Sequence, residues 1–318
     1  MRRVALLVML LAAVQAAGLG YLTNLFVVAA LFTLPALGLS LLMGYTGQIS
    51  LGHAAFVGLG AYGTAMLGKF FGINPWLTIV AATAFATLAA WAIGWLVFRL
   101  RGHHLAMATL AFGIIIHVGT VELRGLTGGQ DGLSGIAPLA LFGYKLDSDA
   151  AIFPFVWAVC IIGIVLAGNL VRSPAGYAMR AVAENEAVAA SLGIAPDRLK
   201  RRIMALSGLY AGLGGALYAH YLGYISPSPF DVGFSVRLLL MVALGGFAGT
   251  WSVLFGVLFV VMTGELLKPF GHYDVVLYGV LLVVVMVWCP RGLLHGLGLL
   301  WRHGVRGWRG WRGAPALP

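Results

Sequence analysis

The sequence predicts an all-α polytopic membrane protein of about eight spans plus a re-entrant or short-hairpin element. Three observations carry that prediction. Hydrophobic residues make up 61% of the chain and charged ones only 9%, long apolar runs recur throughout, and the alternating pattern of a membrane β-barrel is absent. A run of about 18 or more apolar residues with few charges is long enough to cross a bilayer core. Such runs fall at 4–22, 25–43, 76–98, 105–121, 151–171, 203–222 and 274–290. Segment 47–68 joins them if its polar groups are sheltered, and 235–267 has room for two short passes.

The first run follows Met1-Arg2-Arg3 and has small residues near Val14-Gln15-Ala16, the form of a signal peptide as well as of a first span. Its apolar character continues past that point, which favours retention. Basic residues then set orientation. Arg2 and Arg3 precede the first span, Arg99 and Arg101 follow the fourth, and Arg172, Arg180, Arg198, Lys200, Arg201 and Arg202 crowd the loop after the sixth. Arg291, Arg302, Arg306, Arg309 and Arg312 make the tail basic. If those regions are cytoplasmic, only Lys69, Arg124, Lys145, Arg237 and Lys268 of the 20 basic residues lie outside, as the positive-inside rule favours. Both termini are then cytoplasmic, in a bacterial inner membrane, and the number of crossings is even. Segment 235–267 must leave and return on one side, with its break expected at Leu244-Gly245-Gly246-Phe247-Ala248-Gly249-Thr250. The net charge of +10 is accounted for by topology, without a nucleic acid partner.

One membrane domain is expected over 1–300, including a cytoplasmic loop at 172–202, followed by a basic Trp/Arg-rich tail at 301–318. The tail, WRHGVRGWRGWRG at 301–313, suits the lipid headgroup layer. Cys160 and Cys289 sit inside spans and read as small buried residues. Segment 122–150 is glycine-rich and too small for a core of its own.

Residues 44–62, GYTGQISLGHAAFVGLGAY, are unusual for a span. Gly44, Gly47 and Gly52 share no helical row, and Tyr45, Thr46, Gln48, Ser50 and His53 point around the whole helix. Unmatched polar groups are costly in hydrocarbon, so this stretch must be enclosed by helices or line a wet cavity. It is a pathway wall or a hydrogen-bonded packing element. Other glycines have a simpler use: Ala211, Gly215, Ala219 and Gly223, the row Gly208, Gly212 and Ala216, and the row Gly60, Thr64 and Gly68 let helices pack closely. Closely spaced glycines in both 44–68 and 241–265 make a faint internal repeat of a kind that marks transport sites.

Several chemistries are excluded. No HExxH, GxSxG or metal-ligand spacing occurs, and no GxxxxGKS or GxxxxGKT, so the chain is not itself an ATPase. Nearly all acids fall in loops or at span ends, leaving His53 and His117 as the deep titratable groups, which argues against an ion- or proton-coupled carrier. Glu265 lies three residues before Lys268, suited to an interfacial ion pair. In the cytoplasmic loop, 176–194 reads as one helix with Glu184 and Glu186 at its centre and Gly193 as its stop. Its mixed charge suits a protein groove better than lipid.

Taken together, GYTGQISLGHAAFVGLGAY (44–62), RGHHLAMATLAFGIIIH (101–117), LTGGQDGLSGI (126–136), RAVAENEAVAASLGI (180–194), SGLYAGLGGALYA (207–219) and ISPSPFDVGFSVRLLLMVALGGFAGTWSVLFG (225–256) resemble the permease subunits of high-affinity ABC importers for branched-chain amino acids. The resemblance covers about residues 35–290 in the family's order and is nearest to the M-type subunit. It implies ATP-driven uptake of leucine, isoleucine and valine, a second, H-type permease, two ATP-binding cassette subunits and a periplasmic substrate-binding protein. ATP and magnesium would be used by the partner subunits, with no cofactor on this chain. Related permeases serve urea, short amides or aromatic acids, and the residues do not choose among these. The resemblance further implies a coupling helix holding Arg180, Glu184, Asn185, Glu186 and Gly193. Residues 44–53 would be an interrupted helix between the two permeases, with Tyr45, Thr46, Gly47, Gln48, Ser50, Gly52, His53, Thr127, Gly128 and Gly129 on the substrate pathway. On that reading Gly47→Leu or Gly52→Leu would stop uptake without disturbing assembly. The stretch Ser173-Pro174-Ala175-Gly176-Tyr177 lacks the basic residue expected before such a helix, and the tail after Pro290 departs from the family.

Overall fold

The computed structural model describes residues 20–98, 100, 103–141, 143–246 and 249–267, with isolated positions beyond them. The expected spans at 4–22 (all but its end) and 274–290, the residues Lys268 and Cys289, and the tail from 301 lie outside the described residues.

Eleven helices are described. The first is α1 (Gly20–Thr46), followed by α2 (His53–Phe71), α3 (Pro75–Val97) and α4 (His103–Glu122). After the short α5 (Arg124–Thr127) come three two-residue strands, β1 (Leu133–Ser134), β2 (Ala140–Leu141) and β3 (Tyr144–Lys145). The chain continues with α6 (Asp149–Arg172), α7 (Pro174–Glu184), α8 (Glu186–Ser191) and α9 (Pro196–Leu222). It then forms β4 (Tyr224–Ile225), α10 (Val232–Gly245) and α11 (Thr250–Leu267).

Local chemistry sets the boundaries. Asn74 accepts a bond from Trp76 N–H at 3.0 Å and Pro75 occupies the first turn of α3, while Ser148 starts α6 by accepting from Ala151 N–H at 3.3 Å. At the other ends, α2 and α9 stop at left-handed glycines, Gly72 (φ +61) and Gly223 (φ +68). Among the described residues, α1, α2, α3, α4 and α6 are long and apolar enough to cross a membrane. Helices α10 and α11 are apolar but shorter, and they pack on each other as a hairpin turning at Gly246 (φ +89). That turn falls where the glycine run places it.

The expected span 203–222 lies within α9, which is not among those five. Its first turns carry Asp197, Arg198, Lys200, Arg201 and Arg202, and its remainder is largely glycine, alanine and tyrosine. Low hydropathy here reflects enclosure: α9 is the central column, packed against α1, α2 and α3. A β-carbon at Gly215 would come within 2.0 Å of the Val57 carbonyl oxygen of α2. One at Gly208 would meet Ala90 of α3 at 2.3 Å, and one at Gly214 would meet Pro35 Cδ of α1 at 2.7 Å. Proline within a helix leaves the carbonyl four residues earlier without its partner, and Gly214 nestles against that site.

Two expectations are corrected. Segment 47–68 is not one helix: residues 47–52 are irregular and α2 begins at His53. Residues 176–194 are likewise two helices, because Asn185 adopts an extended conformation (φ −157, ψ 109) and starts α8 afresh. Segment 122–150 seals one end of the bundle, where Leu133, Ile136 and Leu139 are buried and β1 pairs antiparallel with β4.

The column can be tested with two alanines. Gly215→Ala should lower the thermal midpoint of the detergent-purified protein, because overpacking costs about 1–3 kcal/mol. Gly68→Ala, with open space at its β-position, should leave it unchanged or raise it. Equal midpoints for the two variants would refute the backbone contact.

Candidate functional site

The polar stretch after α1 folds as a joint. Tyr45 and Thr46 are buried, and Thr46 Oγ1 donates to the Leu42 carbonyl at 2.6 Å. The chain turns at Gly47 (φ +69), whose N–H donates to the Met43 carbonyl at 3.1 Å, and Gln48 Nε2 folds back onto the Thr46 carbonyl at 3.0 Å. Leu51 N–H then donates to Thr109 Oγ1 of α4 at 3.1 Å, and Ala54 N–H at the start of α2 donates to Ser235 Oγ of α10 at 3.1 Å. Those side chains pair backbone groups that irregular structure and a helix start leave open. Ser50 and His53 are fully enclosed, the His53 ring standing edge-on to Phe56 at 5.8 Å with the Pro35 carbonyl beside it.

Beside the joint lies the α7–α8 element. Arg180 Nη2 donates to the Val171 carbonyl at 2.8 Å, and its guanidinium lies 5.9 Å from the ring centre of Tyr45 and 5.2 Å from that of Tyr177. Asn185 Oδ1 accepts from Ala187 and Val188 N–H at 3.0 and 3.2 Å, capping α8. Glu186 pairs with Lys200 of α9, and Lys200 is itself buried with its ammonium 6.0 Å from the Phe98 ring centre. Gly193 (φ +83) makes the turn into α9. Met179, Val182 and Ala189 face the bundle, whereas Tyr177, Val188 and Leu192 are exposed. Glu184 is exposed as well.

A cavity of about 250 Å³ separates the two elements, with Thr46, Gly47 and Gln48 on one side and Ala183, Glu184 and Glu186 on the other. Residues expected from sequence to serve two separate purposes, pathway and coupling, are therefore neighbours. Gly52 is different: a β-carbon there would fall 1.9 Å from the Thr109 carbonyl oxygen. The expectation that Gly52→Leu spares assembly does not hold, since a side chain would push α4 away. Thr127, Gly128 and Gly129 lie at the far end of α4, a helix about 30 Å long. There Thr127 Oγ1 bonds the Thr120 and Leu123 carbonyls at 2.7 and 2.8 Å and accepts from Gly129 N–H at 3.2 Å, which builds a turn and places nothing at the joint.

Sequence reasoning missed Lys200, Thr109, Ser235 and His220. Lys200 was masked by the run Lys200-Arg201-Arg202, which reads as surface charge. His220 Nε2 lies 2.9 Å from Thr64 Oγ1, which donates to Thr78 Oγ1 at 2.7 Å, while Nδ1 lies 2.8 Å from the Ala137 carbonyl. This buried chain ties α2, α3 and α9 to the 123–148 segment, and a histidine between two tyrosines at a span end gave little sign of it.

Residues 21–287 match the family of branched-chain amino acid transport system permease components. The high-affinity branched-chain amino acid transport system permease protein LivM of Escherichia coli (strain K12) is 31% identical over 287 residues, covering 83% of this chain and 68% of its own. The corresponding LivH protein of the same organism is 25% identical over 283 residues, covering 83% of this chain and 91% of its own. A probable LivM protein of Methanocaldococcus jannaschii is 24% identical over 259 residues, covering 73% and 74%. No solved structure matches the chain.

The Glu186–Lys200 pair predicts a distinctive pattern of stability. Glu186→Gln leaves a buried ammonium without its partner, a loss of about 3–5 kcal/mol when both groups are buried. Glu186 is 36% exposed, which reduces this to on the order of 1–2 kcal/mol through solvent screening. The double variant Glu186→Gln/Lys200→Met should recover most of the lost thermal midpoint, and Glu184→Gln should be silent. A double variant no more stable than the single one would show that the pair is not what holds α8 to α9.

Proposed function

This chain belongs to the family of branched-chain amino acid transport system permease components, and from that membership we propose that it is the M-type membrane subunit of an ATP-driven importer of leucine, isoleucine and valine. The α7–α8 element carries the reading. It is a two-helix element with Tyr177, Val188 and Leu192 exposed on it, rooted in the central column through Lys200. Such a projection fits a cleft in an ATP-binding subunit, and the chain has no phosphate-binding loop of its own. ATP and magnesium are handled by two such subunits.

The basic residues at this end support a cytoplasmic position for it and for both termini, and the 123–148 segment then faces the periplasm, where a substrate-binding protein docks. An H-type permease completes the membrane part; the likeness to both LivM and LivH fits a pair of related subunits. The joint at 47–52 abuts the projection, so displacement of α7–α8 reaches α2 and α4 directly.

Uptake of labelled leucine tests this reading in cells with and without the chain, and with Glu184→Arg. Uptake should fall to background without the chain and by at least tenfold in the variant, whose membrane level stays normal. Undiminished uptake without the chain, in cells lacking a redundant carrier, would discard leucine as the substrate. Normal uptake by Glu184→Arg would remove that carboxylate from the docking surface.

A further inference from the structure

The base of α9 carries more positive charge than the acids around it answer. Arg198, Lys200, Arg201 and Arg202 stand in its first two turns. Glu186 pairs with Lys200, Glu184 lines the cavity beside the joint, and Asp197 shares a small hollow with Arg201, Gly94, Trp95 and Phe98 on the α3 side. Arg201 Nε also donates to the Asp197 carbonyl at 3.2 Å. Arg198 and Arg202 are exposed, and neither forms a hydrogen bond or ion pair with any described residue.

Their i, i+4 spacing puts these two arginines on one face of the helix. A groove of about 260 Å³ opens there, lined by both arginines, by Leu199, by Ala178 of α7 and by Ile194 and Ala195 of the turn before α9. The same face continues along the helix as Leu206, Leu209 and Leu213, with Leu209 exposed and the other two half-buried. Arg202 and Leu209 are about 10 Å apart along the axis. Packing on α3 gives the depth of this face in the membrane. A β-carbon at Gly94 would meet Met204 Cγ at 3.3 Å, and the Lys200 ammonium lies beside the Phe98 ring. Arg202 is therefore level with the last turn of α3, where Trp95 is 50% exposed. Tryptophan gathers at the boundary between hydrocarbon and headgroups. That puts the arginines among headgroups and the leucines among acyl chains.

We propose that this groove seats an anionic phospholipid, its phosphate held between Arg198 and Arg202 and one acyl chain lying along Leu206, Leu209 and Leu213. A guanidinium offers a planar fork matched to phosphate oxygens. Basic pockets between membrane helices recognise anionic headgroups in the same way. A soluble subunit can answer the two charges but cannot follow the leucines into hydrocarbon. Because the groove has walls from both α7 and α9, the seated lipid bridges the α7–α8 element to the central column. Its assignment to the cytoplasmic leaflet rests on the orientation given above, whereas the site itself needs only that these helices cross a bilayer.

The test uses the chain purified in neutral detergent with the subunits it assembles with, stripped of lipid and titrated with dioleoylphosphatidylglycerol while the thermal midpoint is followed. The midpoint should rise saturably. Dioleoylphosphatidylcholine, and glycerol phosphate as a headgroup without chains, should leave it unchanged. Arg198→Gln/Arg202→Gln should need at least tenfold more phosphatidylglycerol for half the rise, with Arg198→Lys/Arg202→Lys falling between. Arg124→Gln, at the opposite end of the bundle, should titrate like the unaltered protein. Equal responses to the two lipids, or an unchanged titration in the double glutamine variant, would overturn the site. A full response to glycerol phosphate would make it a site for free phosphate and discard the lipid. Loss of ATP-binding subunits from the double glutamine variant, with its lipid titration unaltered, would assign the arginines to a protein partner instead. Should that variant fail to insert, phosphatidylglycerol with a diazirine in its acyl chain decides on the unaltered complex. Label on the segment carrying Leu206 and Leu209 supports the proposal, and label only elsewhere overturns it. None of these readouts involves transport, so a wrong substrate would leave them standing.

Discussion

Direct contact between helix backbones is the constraint on which the rest of this structure depends. Apolar side chains give no preference for helix over lipid in a membrane, so association must come from close packing and polar bonds. Helix α9 achieves this by presenting glycine on three sides, Gly208 and Gly212 to α3, Gly215 to α2 and Gly214 to the proline of α1. The same device recurs in the α10–α11 hairpin, where a β-carbon at Gly256 would fall 2.0 Å from the Met241 carbonyl oxygen. Side chains elsewhere fill space around contacts the glycines have already determined.

Much of this was legible in the residues alone. Long apolar runs place α1, α3, α4 and α6 closely, and the glycine run near 246 marks the hairpin turn. Hydropathy reads α9 less well, because a helix enclosed by protein is free to trade apolar bulk for glycine and charge. The breaks at 47–52 and at Asn185 were harder still. Each depends on a partner distant in sequence: Thr109 and Ser235 for the first, and for the second the anchoring of Glu186 by Lys200. A local pattern records which residues tolerate a break, and tertiary bonds decide whether one occurs.

The candidate site shows the same division. The sequence singled out 44–53 by its polar, glycine-rich character, and it singled out 180–193 by its charge. That the two meet across a small cavity follows from how α1 ends against the α7–α8 element, which no single segment encodes. Thr127, Gly128 and Gly129 have equally suggestive residue types but serve a turn at the opposite end.

The placement of Lys200 has a mechanical meaning. It sits in the second turn of the column and is fastened to α8, so the projecting loop grips α9 at its base. Its glycines lie against backbone at Val57 and against short or rigid side chains at Ala86, Ala90 and Pro35, so little flexible material separates the column from its neighbours. A helix of 27 residues is about 40 Å long. Tyr218 and His220 stand at that tip, the one with its ring beside those of Phe32 and Phe230 and the other bonded to the loop at Ala137. The base and the tip of one helix thus tie the α7–α8 element to the 123–148 segment at opposite ends of the bundle.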